Sequence, residues 1–213
     1  MTSTNQPLPD PRPLFARASE QVLELVGSIK PEQLSDPTPC TEFDVRALAG
    51  HLVGGLRRIR VVGEGGDGLA VDVDVKGLAD GEWGAAYEEG RRLAIAAWTD
   101  DARLDASVTV PWGEVPGRAA LSGYVMESAT HTWDLAVALG RSTGELDQEV
   151  ARFALGVARQ VLPADRRGEG VPFADVQPAP EGADVYGELA AWMGREPFPE
   201  GSRAAGPSSE LRD

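Results

Sequence analysis

Two histidines and one glutamate hold the clearest chemical potential in this 213-residue chain, which has no other histidine. Glu127 and His131 lie four residues apart in Glu127-Ser128-Ala129-Thr130-His131, inside an apolar stretch that reads as helix. Residues i and i+4 share one helix face, so the carboxylate and the imidazole address the same point in space. His51 sits on a second apolar stretch, Ala49-Gly50-His51-Leu52-Val53-Gly54-Gly55. Brought together from two helices, the three make a His/Glu/His set. Three protein ligands with a position left open is the pattern of a catalytic rather than a structural divalent metal site. Glu127 lies between Met126 and Ala129, and a carboxylate in such surroundings is costly unless a cation or metal pairs with it. The competing reading is plainer: packed histidines and a solvated glutamate. Imidazole and carboxylate donors suit zinc, nickel or iron, so the ligand types alone do not choose the metal.

Several neighbours are candidates for supporting roles. Asp134 follows His131 by three residues. It is placed to hydrogen-bond a ligand imidazole from behind, or equally to cap the helix or form a salt bridge. Tyr124 falls on the same stripe as Glu127, His131 and Asp134. Among the five tryptophans, Trp112 is the best placed to line a pocket mouth; the others read as packing. Arg46, Arg57, Arg58 and Arg60 form a small basic cluster. Ordinary pairing with the surplus acids is its simplest use; the alternative is that Arg58 meets a carboxylate on a ligand. Cys40 precedes a helix N-terminus, where the dipole favours a thiolate. A small buried residue in a tight connector is the stronger reading. The run Gly63-Glu64-Gly65-Gly66-Asp67-Gly68 lacks the Lys-Ser/Thr of a phosphate loop and reads as linker.

The elements that must position these residues are mostly helical. Phe15, Ala18, Val22, Leu25 and Ile29 repeat at helical spacing after entry signals at Asp10 and Pro13. A proline-rich connector, 36–40, leads to Thr41 and Asp44, a capping arrangement for a second helix carrying Val45, Leu48, Leu52, Leu56 and Ile59. Residues 69–79 give no clear pattern. A third helix is predicted from Asp80 to Thr99, with Trp83, Tyr87, Gly90, Leu93, Ala94 and Trp98 inward. Residues 107–116 alternate and carry Pro and Gly, which predicts a short extended pair or flap. A fourth helix is predicted from Arg118 to Leu139, stopped by Gly140, with one stripe of Leu121, Val125, Ala129, Thr132, Leu135 and Leu139. A fifth runs from Asp147 to Leu162, a long loop spans 163–182, and a short last helix runs from Asp184 to Met193. The fold expected is all-α: a four-helix bundle with extra C-terminal helices and a short β-hairpin or extended flap. Residues 1–11 read as a flexible arm, 12–199 as one metal-binding domain and 200–213 as a disordered tail.

Composition narrows the function classes. Twenty basic against 34 acidic residues give a net charge of -14. Nucleic acid and anionic membrane surfaces are therefore not expected partners, since both require a basic footprint. No segment has the length and apolarity of a membrane-spanning helix, and the polar N-terminus has no signal-peptide pattern. One cysteine rules out an internal disulfide and fits a reducing, cytoplasmic location. Monomer and homodimer are both open.

Pro39-Cys40-Thr41-Glu42-Phe43-Asp44-Val45-Arg46-Ala47-Leu48, followed by His51-Leu52-Val53-Gly54-Gly55, resembles the N-terminal signature of the actinobacterial DinB-like proteins. Glu127 to His131, continued by Thr132-Trp133-Asp134-Leu135-Ala136, is similar to that family's second metal motif, and Ala190-Ala191-Trp192-Met193-Gly194-Arg195-Glu196-Pro197 to its usual close. The best-known relative is the N-terminal domain of mycothiol-dependent maleylpyruvate isomerase. The resemblance spans roughly residues 13–199. It implies a DinB-type four-helix core holding a divalent metal, commonly zinc, on His51, Glu127 and His131. It also implies a metal that binds and activates the thiol mycothiol for S-transfer or isomerisation of a small electrophile. Phe43 stands where many relatives have Trp, and Thr132 where Gly is frequent. The isomerase has a further C-terminal domain with a catalytic arginine, which this chain is not expected to contain, so only the metal and the thiol carry over. The alternatives are a thiol-independent hydrolase, lyase or cyclase using the same metal, or a non-catalytic metal- or ligand-binding protein.

Overall fold

The computed structural model describes residues 9–167 and 173–196. Most of the arm expected at 1–11 and all of the tail expected at 200–213 lie outside the described residues. Among the described residues seven α-helices and one hairpin follow in order: α1 (Arg12–Gly27), α2 (Val45–Gly63), α3 (Trp83–Ala97), α4 (Asp101–Asp105), β1 (Ser107–Val110), β2 (Gly113–Pro116), α5 (Gly117–Ala138), α6 (Gln148–Val161) and α7 (Val185–Trp192). Helices α1, α2, α3 and α5 pack around one core, and α6 and α7 pack on the far side of α5. The all-α four-helix core with added C-terminal helices and a hairpin is therefore the architecture the sequence predicts. Among the described residues no helix is long and apolar enough to cross a membrane.

Helix ends follow side-chain chemistry. Asp44 caps α2 by accepting from the Ala47 N–H at 2.7 Å, so the cap is Asp44 itself and not Thr41. Asp147 and Asp184 cap α6 and α7 in the same way. Gly140 lies just past α5 with φ +65°, the left-handed position a glycine is suited to fill. Helix α3 starts at Trp83, three residues later than periodicity suggests, because Glu82 turns back to accept the Ala79 N–H at 3.1 Å. The five-residue α4, capped by Asp100, has no counterpart in the sequence reading; one turn is too short to show a period.

Helix α5 is buried well beyond the two adjacent stripes predicted for it. Almost every residue from Ala120 to Ala136 is buried, because α1 and α2 cover one side and α6 and α7 the other. The unassigned stretch begins in a 3-10 turn, Gly68–Ala70, and continues from Val71 as an irregular strap lying across α2. The missing side chains of Gly50 and Gly54 admit the carbonyls of Val75 and Val73, and a Cβ at either position would collide with them. Arg58 ties the strap down by donating to the carbonyls of Gly68 and Val71, both at 2.9 Å. The hairpin pairs Val108 with Val115 and Thr109 with Glu114, with Trp112 in its turn and Gly113 at φ +128°.

Candidate metal centre

Helix α2 presents His51 and helix α5 presents Glu127 and His131 to the same point between them. The buried stripe of Leu48, Leu52, Leu56 and Ile59 fixes the rotation of α2, leaving His51 at the stripe's edge toward α5. His51 Nε2 lies 3.2 Å from Glu127 Oε1, and the two imidazole centroids are 5.2 Å apart at 75°. One ligand atom from each of the three side chains lies within 4.8 Å of the other two. A small cavity of about 20 Å³ adjoins them, walled by Leu52, Leu56, Ile59, Tyr87 and Ser128.

The connector before α2 supplies a further wall. Thr38 Oγ1 donates toward the Phe43 and Cys40 carbonyls at 2.7 and 2.9 Å, fixing the turn that precedes the Asp44 cap. The Phe43 ring is then stacked on His51, with centroids 5.1 Å apart at 29°, and meets His131 edge-on at 6.4 Å. The sequence places Phe43 in a motif but gives no sign that its ring touches both imidazoles.

Behind His131 the structure builds a chain of partners. His131 Nδ1 lies 3.0 Å from Asp134 Oδ2, which leaves Nε2 as the nitrogen free for the cluster. Asp134 has none of its surface open to water. Arg195 grips it with two bonds, Nε to Oδ1 at 2.8 Å and Nη2 to Oδ2 at 2.9 Å. Asp134 thus makes both the imidazole contact and the salt bridge that the sequence left as alternatives. Burial alone would push the Asp134 carboxyl up; the His131 and Arg195 hydrogen bonds and their charges outweigh it and hold it below its ordinary range. For Glu127, desolvation is likewise outweighed, by the His51 hydrogen bond and the nearby His51, His131 and Arg58 groups, and its carboxyl is also held low.

These residues fit a divalent cation. Two ligands about 2.1 Å from a shared tetrahedral ion lie about 3.4 Å apart, close to the His51–Glu127 separation of 3.2 Å. His51 Nδ1, the ring nitrogen that does not face Glu127, is buried with no hydrogen-bond partner among the described residues. A second convergent group, Cys40, His131 and Asp134, differs in kind. Arg195 already neutralises its carboxylate, and burial pushes the Cys40 thiol up, away from thiolate.

The remaining candidates have definite places. Arg58 is spent on the strap's carbonyls, with its charge still felt at Glu127. Arg46 pairs with Asp80 and Arg60 with Glu64, as ordinary surface pairing predicts. Trp112 is half-exposed and packs edge-on against Tyr124, centroids 5.3 Å apart. Tyr124 is buried beside Glu127, its hydroxyl has no hydrogen-bond partner among the described residues, and desolvation together with that carboxylate raises its pKa well above the usual phenol value. Neither Trp112 nor Tyr124 walls the pocket beside the histidines. Arg195 is the residue bonded into this cluster that the sequence did not single out; its only signal was a place in the closing motif.

The molecule is thus a helical bundle that presents a His–Glu–His set between two of its core helices. The family model described as the mycothiol maleylpyruvate isomerase N-terminal domain matches residues 15–136. The chain is also 33% identical over 186 residues to uncharacterized proteins of two Mycobacterium tuberculosis strains, CDC 1551 / Oshkosh and ATCC 25618 / H37Rv. Each alignment covers 87% of this chain and 98% of the relative. No solved structure matches the chain. The chain belongs to the mycothiol maleylpyruvate isomerase N-terminal domain family. The matched residues take in His51, Glu127 and His131; Arg195 lies beyond them.

Proposed function

We propose that this protein is a divalent-metal-dependent enzyme that transfers or isomerises a small electrophilic molecule with the help of mycothiol. The observation that carries the reading is the convergence of His51, Glu127 and His131 beside a pocket. His51 and His131 would hold the ion through imidazole nitrogen and Glu127 through a carboxylate oxygen, with zinc the first choice and nickel or iron also suited to these donors. Bound there, such an ion supplies the acidification that turns a thiol into a thiolate near neutral pH.

The chain's own residues supply the rest. Phe43 stacked on His51, and Asp134 bonded to His131, restrict both rings to one orientation. Leu52, Leu56, Ile59 and Tyr87 give the small cavity beside the histidines an apolar lining, which would limit water at the cluster. Glu127 keeps about a third of its side chain open, which would let a ligand reach the cluster from that side. The thiol sulfur attacks the electrophilic carbon, the new C–S bond forms, and a leaving group departs with its electron pair while the thiol proton passes to solvent.

The test has two parts. Metal analysis of purified protein should find one equivalent of a divalent ion in the wild type and little in His51→Ala. Metal-loaded protein given mycothiol and a chlorodinitrobenzene should form the aryl thioether and chloride faster than the uncatalysed mixture. Equal, substoichiometric metal in both proteins would remove the metal centre. Full metal with no conjugate above background would remove the thiol and favour water-based chemistry or binding alone.

A further inference from the structure

The chain ends its described course with a turn that has one structural effect at the site. Helix α7 closes with Gly194 at φ +80°, where the Gly194 and Arg195 N–H groups return to the Ala191 and Ala190 carbonyls at 3.1 and 2.9 Å. The turn is tightly seated: a Cβ on Gly194 would stand 2.8 Å from the Ala174 carbonyl oxygen. Arg167 reinforces it by bonding the carbonyls of Leu162, Ala174 and Trp192. The turn aims Arg195 inward at Asp134, 61 residues earlier in the chain, on the helix that carries Glu127 and His131.

We infer that Arg195 is a positioning residue of the metal centre, acting on His131 through Asp134. This rests on the metal reading above. A guanidinium fork bonded to both carboxylate oxygens allows Asp134 a single orientation. In that orientation Oδ2 receives the His131 Nδ1–H, and His131 Nε2 is turned to His51 and Glu127. The turn after α7, Met193 to Arg195, is therefore part of the site, although it lies outside the family-matched residues and touches neither His51, Glu127 nor His131.

The test uses cobalt(II) as the metal probe and the full chain. Wild type should bind one equivalent of cobalt, and His51→Ala should lose it. Arg195→Ala should bind cobalt about 10- to 100-fold more weakly, the range seen when outer partners of metal-ligating histidines are removed, with an altered visible absorption spectrum. Arg195→Lys, which keeps the charge but not the fork, should recover only part of the affinity. Long-range proton–nitrogen NMR of the metal-free protein gives a second readout, and with two histidines its spectrum is simple. Wild-type His131 should show the Nδ1–H tautomer, and Arg195→Ala should show a mixture. Thermal melts in chelator establish that each variant is folded; if Arg195→Ala is not, Arg195→Lys and Asp134→Asn carry the same comparisons. A folded Arg195→Ala with wild-type affinity, spectrum and tautomer overturns the inference and leaves the metal reading intact. Wild type that binds no cobalt overturns the metal reading and this inference with it.

Discussion

Replacing Arg195 by alanine strands the Asp134 carboxylate, which has no surface open to water. The two Arg195 hydrogen bonds disappear, and the carboxylate keeps only its contact with His131. Removing one partner of a buried ion pair costs about 3–5 kcal/mol, most of it the penalty of the charge left behind. In a domain of this size each kcal/mol lowers Tm by about 2–4 °C, so Arg195→Ala should melt roughly 6–20 °C below wild type. Asp134→Ala should cost less, about 1–3 kcal/mol. The Arg195 side chain keeps 17% of its surface and borders a surface groove, so its freed guanidinium can turn to water. The double variant then contains no stranded carboxylate, and it should be more stable than Arg195→Ala alone. Urea unfolding of all four proteins in chelator measures the cycle. A double variant at the sum of the two single losses would refute the argument, since it would mean that the two side chains do not share one buried interaction.

Three further outcomes follow from the same coordinates. Asp134 titrates near 3.9 when unfolded and is held below that in the folded protein. Its contribution is complete above the unfolded value and is lost as pH falls through the folded one; metal-free wild type should therefore lose stability below about pH 4, and Asp134→Asn should show a shallower loss in urea titrations across pH 3–7. Gly54→Ala drives a methyl into the Val73 carbonyl and must lift the strap off α2. We expect about 1–3 kcal/mol of destabilisation and faster amide exchange through residues 71–75; an unchanged exchange pattern would contradict the packing described. Phe43→Ala removes the ring stacked on His51. Cobalt affinity should fall about 2- to 13-fold, by the loss of roughly 0.5–1.5 kcal/mol of ring packing, and titration with unchanged affinity would show that the ring does not restrain His51.

Local order and the residues of chemical interest were legible in the sequence. Helical spacing located α1, α2, α5, α6 and α7, and alternation located the hairpin, because these patterns repeat within one or two turns of chain. The i,i+4 relation of Glu127 and His131 is fixed by helix geometry alone. The sequence also singled out His51 as the third member, since a chain with two histidines offers few alternatives. The two stripes it gave α5 were too narrow, because a helix covered on both sides has no polar face to mark its rotation.

Only the tertiary structure decided how those residues meet. The 3.2 Å approach of His51 to Glu127 depends on the packing of α2 against α5, and no spacing within either helix encodes it. The strap over Gly50 and Gly54 and the Phe43 ring over both imidazoles are likewise contacts between segments with no shared periodicity. The same holds for Arg195, whose grip on Asp134 closes a loop of 61 residues. Periodicity records which face of an element is buried; the identity of the partner across that face is set by how the faces of all the helices are satisfied at once.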